Sequence, residues 1–418
     1  MSAARTEESV RHEVGNIATL DGMRGIAVLW VILFHFHVLR PDDPWVKACK
    51  STPLEAWVGN GYLGVDLFFV ISGFLLALPW FVHAHAGRGA PSMRAFYARR
   101  FWRIAPAYYV QLALLFAVVL PILRGPTYWR SDVWVYAYNA FAHLTFMHNT
   151  TPLTSGSMAA NGALWTLGVE AWFYALLPLV MPLFVRWPRA MAVVSLAVAQ
   201  AWRLATRDDL AWLVGAEMAL GQIWSWPEDV VRYLLLHQLP SYFGHFGLGI
   251  ALGAAWLRSR AAPAAKMWLL DVAAVASLVL LDWVLAIDGN LAGSLTWSLP
   301  AIALAMLLYW AAARRGWPER FLARGPLAFV GRISYSAYLY HLPVLLVANA
   351  AVLGNNRSVV IFPVYVAIVL AVSWISWRLV ERPFLHGLAA WWRGLVARAR
   401  SHGERGDDGE DLQHRHAP

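Results

Sequence analysis

Two ionisable side chains lie in the first strongly apolar segment, which reads MRGIAVLWVILFHFH over residues 23–37. Arg24 and His35 are eleven positions apart. In a helix this spacing is three turns plus about 20°, at a rise of roughly 16 Å, so both side chains lie on one face. An arginine at the membrane surface suits an anionic ligand, and a neutral imidazole near the midplane suits proton transfer. The alternative is an interfacial anchor and a histidine bonded to a neighbouring helix.

A second basic group follows in RRFWRIAPAYY, residues 99–109. Arg100 and Arg103 are spaced i, i+3, so they share a helix face. Two guanidinium forks side by side suit phosphate oxygens. The spacing alone leaves two ligands open, namely inner-leaflet lipid phosphates and a ligand that carries a nucleotide.

Two acidic residues also lie in apolar segments, where a carboxylate is costly and needs a partner. Asp66 lies near the start of YLGVDLFFVISGFLLALPWFV, and we expect it to pair with a cation or to orient a histidine. Glu170 lies in LWTLGVEAWFYALLPL. Three roles are open for Glu170: a base, an orienter of a histidine, and the acceptor of a structural hydrogen bond.

Further polar residues occupy other apolar segments. Ser72 lies in the second segment and is followed by glycine, a pair that permits close helix packing. In FVGRISYSAYLYHLPVLL, Ser334, Tyr338 and His341 fall at i, i+4 and i+7 and form one polar stripe. By the rise per residue, His341 reaches a depth similar to that of His35 and Ser72. The sequence therefore predicts a polar layer within the membrane, open towards a cytoplasmic basic patch.

The composition identifies the elements that must position these residues. The chain of 418 residues is 59% hydrophobic and 14% charged, with a mean hydropathy of +0.49. Charged residues make up about a quarter of an ordinary soluble protein. Apolar runs of about 20 residues match a hydrocarbon core roughly 30 Å thick, and such runs cross it as helices because lipid offers backbone groups no partners. We predict an all-α polytopic membrane protein.

Positive charge decides which apolar segments span the membrane, because lysine and arginine are enriched in cytoplasmic loops. Eleven segments are candidates: 22–40, 62–86, 104–123, 132–148, 164–186, 189–206, 240–257, 268–287, 294–313, 328–353 and 358–380. If 132–148 crossed, three basic clusters that follow it would face outward. If it is re-entrant or interfacial, all of them become cytoplasmic. We therefore predict about ten transmembrane helices, one re-entrant or interfacial segment, and two cytoplasmic termini.

The chain then divides into a cytoplasmic N-terminal segment (1–21), a membrane domain (22–386) and a cytoplasmic interfacial and disordered tail (387–418). The first part is polar and lacks the apolar core of a removable signal peptide. The long connection 207–239 faces outward in this topology, where it could cap a site. Cys49 is the only cysteine, which excludes intrachain disulfides and a thiolate metal site.

Several classes of function are disfavoured by the sequence. The net charge of +9 is spread over helix ends, which fits membrane orientation better than nucleic-acid binding. There is no phosphate-binding loop of an ATPase and no clustered metal-ligand spacing, so we expect no metal and no permanently bound cofactor. Two classes remain: a proton-coupled transporter or flippase, and an enzyme that moves a group from a cytoplasmic donor to an outward acceptor.

Six motifs follow one another from residue 20 to residue 384 and so cover nearly the whole chain. They are LDGMRGIAVLWVILFH, GVDLFFVISGFLL, RRFWRIAPAYY, LWTLGVEAWFYALLPL, SYSAYLYHLPV and RLVERPF. In type and order these motifs resemble those of the acyltransferase-3 family of bacterial membrane O-acyltransferases. Each is weak alone, and together they are specific.

The resemblance implies a ten-helix domain in the bacterial inner membrane that transfers an acyl group, usually acetyl, from cytoplasmic acyl-CoA. The acceptor is a hydroxyl of a surface glycan, a lipid or a small molecule. His35 is then the catalytic histidine, either as a base or as a transient acyl carrier. Arg24, Arg100 and Arg103 belong to the acyl-CoA site, where guanidinium groups hold the phosphates.

Other polar residues receive expected roles beside His35. We place Glu170 and Asp66 with the catalytic residues, as base or orienter. The thioester oxyanion needs a hydrogen-bond donor, for which Ser72, Tyr338 and backbone N–H groups are candidates.

The sequence departs from the family pattern in two places. Thr166 stands where serine is usual, which keeps the hydroxyl group. Some members carry an extracytoplasmic hydrolase-like domain after the last helix, and none is visible in this sequence. We therefore expect the final transfer to occur within the membrane domain or with a separate extracytoplasmic transferase.

Overall fold

The computed structural model describes eight stretches of the chain: 17–50, 52–125, 133–155, 160–207, 227–260, 267–287, 297–354 and 356–385. Within these stretches the chain is helical, with short turns and no strand. Three predictions fall largely outside them: the N-terminal segment up to residue 16, most of the outward connection, and the C-terminal tail from residue 386.

Eighteen α-helices of the described part of the chain are numbered here in chain order, with Leu120–Arg124 counted as the end of α5. They are α1 (Thr19–Leu39), α2 (Pro44–Cys49), α3 (Leu54–Gly59), α4 (Leu63–His85), α5 (Met93–Leu114), α6 (Val133–Leu144), α7 (Pro152–Ser155), α8 (Trp165–Arg186), α9 (Pro188–Arg207), α10 (Glu228–Leu236), α11 (Leu239–Arg260), α12 (Met267–Ile287), α13 (Ser298–Ala313), α14 (Trp317–Ala323), α15 (Gly325–Arg332), α16 (Ser334–Ala348), α17 (Ile361–Ser376) and α18 (Arg382–Leu385). Helix α5 continues through a π-helical segment into Leu120–Arg124, and π-helical segments also follow α16 (Asn349–Leu353) and α17 (Trp377–Glu381).

Among the residues that the structure describes, seven helical stretches are long and apolar enough to cross a membrane. They are Thr19–Leu39, Leu63–His85, Met93–Arg124, Gly162–Arg186, Met267–Ala286, Ser334–Leu353 and Ile361–Leu385. The prediction of an all-α multi-pass membrane protein is therefore confirmed. Helix α13 is apolar but has only 16 residues, while α9 and α11 have 20 and 22 residues and coincide with two further predicted spans. The total of ten spans stays a prediction.

Helix α6 covers most of the segment that charge assigns to a re-entrant or interfacial position. Its 12 residues give a length of about 18 Å, too short for a hydrocarbon core of about 30 Å. Asn139 and His143 are fully buried, whereas Trp134 and Phe141 on the other side are exposed. A short helix with one buried polar face and one exposed apolar face favours the predicted non-spanning position.

Helix α4 lies at the centre of the bundle, with α1 and α11 packed against it. A side chain at Gly73 would place its Cβ 2.2 Å from the carbonyl oxygen of Phe246, and one at Gly249 would lie 2.1 Å from that of Val70. The backbones of α4 and α11 thus approach more closely than any residue larger than glycine permits. The Ser-Gly pair of the second apolar segment therefore has the packing role that the sequence suggests for its glycine.

Helix α1 connects two regions of the molecule. Its first turns pack against the short helices α14 and α15, and it also contacts α4 and α16. Arg24 therefore lies beside the α14–α15 pair, and His35 lies against α16.

Candidate active site

Two histidines from different helices meet inside the bundle. His341 Nε2 lies 3.2 Å from His35 Nδ1, and the two ring centroids are 4.8 Å apart. His341 is fully buried, whereas His35 keeps partial exposure. The contact joins two residues that the sequence placed at similar depth, although 306 positions separate them. We call them the histidine pair.

Backbone carbonyls fix the ring nitrogens that carry protons. His35 Nδ1 lies 3.0 Å from the carbonyl oxygen of Val31, and His341 Nδ1 lies 2.7 Å from that of Tyr338. Because a carbonyl oxygen only accepts, each Nδ1 is the protonated nitrogen. His341 Nε2 therefore accepts from His35 Nδ1, whose one proton is shared with the carbonyl oxygen of Val31, and His35 Nε2 carries a lone pair. A neutral imidazole in this tautomer is able to act as a general base.

A second polar group is centred on Glu170. Ser72 donates a hydrogen bond to Glu170 Oε1 at 3.2 Å, and the hydroxyl of Tyr174 donates to the same oxygen. These bonds engage the hydroxyl protons of both donors. The contacts of Glu170 thus join α4 to α8.

The structure separates Ser72 from the histidine pair along the helix axes. The rings of Phe68 and Tyr338 are 6.2 Å apart, so these two residues share a level. His341 lies one turn beyond Tyr338, and Ser72 lies one turn beyond Phe68 in the opposite direction. Ser72 and His341 are therefore about 10 Å apart along the helix axes. The expectation of one layer does not hold for Ser72, because a depth counted from predicted segment ends ignores how the helices are staggered.

Tyr338 has a fully engaged hydroxyl group. It donates to the carbonyl oxygen of Ala163 at 2.8 Å and accepts from Thr166 at 3.0 Å. The hydroxyl that Thr166 retains in place of the usual serine therefore supports Tyr338. A hydroxyl proton held by a carbonyl is poorly placed to stabilise an oxyanion.

Three arginines converge on the part of the bundle that holds Glu170. Arg24 lies within electrostatic range of Arg100, Arg103 and Glu170. Arg24 pairs with Asp21 at 3.5 Å, and its side chain is 28% exposed. One carboxylate uses at most two of the five N–H donors of a guanidinium group. Pairing therefore orients Arg24 and leaves donors for a ligand. We call the three arginines the arginine cluster.

The model of the acyltransferase domain matches residues 17–378, which is well over half of the chain. The chain belongs to the acyltransferase-3 family. The resemblance drawn from the six motifs is thereby confirmed.

Curated relatives of this acyltransferase bear names of the same kind. A Staphylococcus aureus (strain COL) protein named as an O-acetyltransferase is 24% identical over 88% of this chain and 57% of its own length. The peptidoglycan O-acetyltransferase OatA of Listeria monocytogenes is 21% identical over 90% of this chain and 57% of its own. BcsY of Komagataeibacter xylinus, named as a membrane-bound transacylase, is 27% identical over 87% of this chain and 81% of its own length. The chain thus spans little more than half the length of the first relatives. No solved structure gives a significant match.

Asp66 has a histidine partner in this acyltransferase, and the partner is not His35. Asp66 Oδ2 lies 3.5 Å from Nε2 of His245, and both side chains are buried. His245 lies on α11 in a segment that the sequence describes only as apolar. The structure therefore places Asp66 in a different group from the histidine pair and from Glu170.

Glu381 is a residue of the site that the sequence argument missed. It is buried, lies 3.1 Å from Arg103 and accepts a hydrogen bond from Ser336. Glu381 ends the π-helical segment after α17, and such segments occur often at functional sites. The motif RLVERPF contains it, but spacing gives no sign that its partner lies 278 positions away. Glu381 fixes the orientation of Arg103.

Proposed function

We propose that this chain is a membrane O-acyltransferase that moves an acyl group, in the simplest case acetyl, from cytoplasmic acyl-CoA to an acceptor hydroxyl. The observation that supports the proposal most is the joint presence of the histidine pair and the arginine cluster. Arg24 and His35 lie on one face of α1 at a rise of roughly 16 Å. A long thin donor such as CoA fits this separation, with its phosphates at one end and its thioester at the other.

The arginine cluster has the chemistry to hold the donor. CoA carries a diphosphate and a 3′-phosphate, and guanidinium forks bind phosphate oxygens in a bidentate manner. Asp21 and Glu381 orient two of the three arginines. The pantetheine arm then extends along α1 towards His35.

In this mechanism the acceptor hydroxyl gives its proton to Nε2 of His35 as its oxygen attacks the thioester carbonyl carbon. The carbon–sulfur bond breaks when the tetrahedral intermediate collapses, and the CoA thiolate takes the proton back from Nε2. His341 accepts a hydrogen bond from the imidazolium formed in between, which stabilises that charge. An alternative order of steps places the acyl group first on Nε2 of His35. The hydroxyl protons of Tyr338 and Ser72 are engaged, which disfavours both groups as oxyanion donors.

The acceptor in this proposal is a hydroxyl of a surface glycan, a lipid-linked sugar or a small molecule. The name of the Listeria relative specifies peptidoglycan, which makes amino-sugar glycans the first acceptors to test. A separate extracytoplasmic transferase is a candidate partner in this proposal.

The direct test uses membranes that carry the protein, acetyl-CoA labelled in the acetyl group, and extracted glycans or lipids. An acyltransferase makes a labelled ester and releases free CoA. A proton-coupled transporter or flippase would move its substrate without acyl-CoA and leave it chemically unchanged. Substrate flux without esterification would therefore favour that second candidate.

We also propose ten spans in the bacterial inner membrane with both termini in the cytoplasm. In a Cys49→Ser background, single cysteines at Thr127 and Thr150 should both react with a membrane-impermeant maleimide added outside intact cells. The reason is that the segment 132–148 returns to the side from which it enters. Labelling of only one of the two positions would contradict the topology. The wild-type protein, which keeps Cys49 between the first two predicted spans, provides an outside reference.

His341 should act as a positioning residue for His35. Replacing His341 with phenylalanine keeps a buried ring but removes one of the two acceptors of the His35 Nδ1 proton and leaves only the carbonyl oxygen of Val31. We expect kcat to fall about 10- to 100-fold, since a hydrogen bond to a charged group contributes about 1.5–3 kcal/mol, with KM for acetyl-CoA unchanged. His341→Gln should recover part of kcat because its amide oxygen accepts. Equal losses in both variants, in step with lower thermal stability, would indicate a purely structural role.

A further inference from the structure

A second buried polar cluster lies where α4, α9 and α11 meet the residue that precedes α13. Its members are Asp66, Arg203, Ser241, His245 and Trp297, each at most 6% exposed. The guanidinium carbon of Arg203 lies 3.6 Å from the ring centroid of Trp297, and Arg203 is also within electrostatic range of Asp66. Ser241 and His245 are one turn apart on the same face of α11. We call this group the Asp66 cluster.

Several polar atoms of this cluster make no hydrogen bond, although Asp66 Oδ2 and His245 Nε2 lie 3.5 Å apart as an ion pair. In the stretches that the structure describes, no hydrogen bond reaches Asp66 Oδ2, Ser241 Oγ, Trp297 Nε1 or either ring nitrogen of His245. A buried polar group without a hydrogen bond is destabilising, so native proteins rarely leave several together. The histidine pair, by contrast, is bonded to backbone carbonyls. A ligand that offers several hydroxyl groups would satisfy the Asp66 cluster.

The charges of the cluster restrict the kind of ligand. Arg203 repels a cation, and Asp66 repels an anion, so a neutral molecule is favoured. It must both donate, to Asp66, and accept, from the indole N–H of Trp297. Hydroxyl groups do both.

Aromatic rings surround these polar groups. The ring of Trp297 stacks on that of Tyr62 with centroids 6.3 Å apart and planes within 3°, and Tyr242 lies 6.2 Å from Trp297. Binding sites of this kind combine aromatic walls with a few placed polar groups. A sugar ring has the matching properties, since its C–H faces are apolar and its rim carries hydroxyls.

The cluster is close to the histidine pair. The ring of Tyr62 lies 5.5 Å from that of Phe34, which in turn lies 5.1 Å from the ring of His35. A continuous series of ring contacts through Tyr62 and Phe34 thus connects Trp297 to the proposed base. We propose that the Asp66 cluster binds a sugar unit of the acceptor, next to the hydroxyl that is acylated. This proposal rests on the proposed acyltransferase function and adds a substrate class to it.

The test compares a sugar acceptor with an acceptor that has no sugar. The full-length protein in lipid nanodiscs is given acetyl-CoA and either chitotriose, a soluble oligomer of N-acetylglucosamine, or n-octanol. We expect Trp297→Phe and His245→Gln each to raise KM for chitotriose about 3- to 10-fold, as expected for one lost hydrogen bond. Transfer to octanol should stay within about twofold of wild type, which also shows that the variants are folded. Trp256→Phe is the matched control, because the indole of Trp256 is buried and donates to Ala312 at 3.0 Å.

Each other outcome overturns the proposal. If both variants reduce transfer to the two acceptors equally, the cluster has a structural role and is satisfied by water. The same conclusion holds if they change KM for chitotriose no more than Trp256→Phe does. If the wild type acetylates octanol but not chitotriose, the cluster is not a subsite for this sugar class. If the wild type acetylates neither acceptor, the proposed function itself fails. That result differs from a failure of the subsite alone, which leaves transfer to octanol intact.

Discussion

Replacing His35 with alanine should reduce acetyl transfer from acetyl-CoA by about 10²- to 10⁴-fold, the usual contribution of a general base. The loss should appear in kcat, because the imidazole acts on the proton transferred in the transition state, while binding of acetyl-CoA depends on the arginine cluster. The measurement is formation of labelled ester by membranes or nanodiscs with equal amounts of wild type and variant. The same loss is expected if His35 carries the acyl group covalently.

His37→Ala provides the matched control for this experiment. It removes a second imidazole from α1 only two residues away, on a different face of the helix. We expect it to retain most of the activity. Wild-type transfer by the His35→Ala protein would refute the catalytic role of His35, and equal losses in the two variants would point to a general effect on α1.

Arg100→Ala should raise KM for acetyl-CoA about 10- to 100-fold and leave kcat nearly unchanged. The reason is that one charge-assisted contact to a phosphate contributes about 1.5–3 kcal/mol to binding of both the ground state and the transition state. Arg100 is preferable to Arg103 for this test. Loss of Arg103 would leave the buried Glu381 without its cation, which is strongly destabilising on its own.

S-acetylpantetheine distinguishes the two ligands that the arginine spacing leaves open, namely inner-leaflet lipid phosphates and a nucleotide-bearing donor such as acyl-CoA. It carries the thioester and the arm but none of the phosphates, so Arg100→Ala should not change its KM. Arg94→Ala, an exposed arginine at the start of α5, should leave both donors unaffected. An unchanged KM for acetyl-CoA in the Arg100→Ala protein would instead favour an interaction of Arg100 with lipid phosphates.

The predictable features of this chain follow from patterns within single segments of the sequence, namely segment length, loop charge and helical periodicity, and from the order of its motifs. Apolar segment length and loop charge identified an all-α multi-pass membrane protein, because lipid leaves the backbone no alternative to the helix. Helical periodicity placed Arg24 and His35 on one face of the first helix, and Arg100 and Arg103 on one face of another. Each of these predictions needs only the geometry within one helix. Six ordered motifs indicated the family.

Contacts between helices were not predictable in the same way. The bond between His35 and His341 depends on how α1 and α16 are staggered, and the same stagger places Ser72 about 10 Å away along the helix axes. Asp66 illustrates the point most clearly. The sequence correctly required a partner for a buried carboxylate, but the partner, His245, lies in a helix whose apolar pattern does not mark that position.

The sequence by itself determined the class of protein, the helices, the family and the faces that its polar residues occupy, since each depends on covalent neighbours and on the surrounding solvent or lipid. Only the tertiary structure decided which polar residues meet: His35 with His341, Arg103 with Glu381, Ser72 with Glu170 and Asp66 with His245. The physical reason is that rotation and stagger between helices are set by close packing, as at Gly73 and Gly249. No spacing within one segment records that packing.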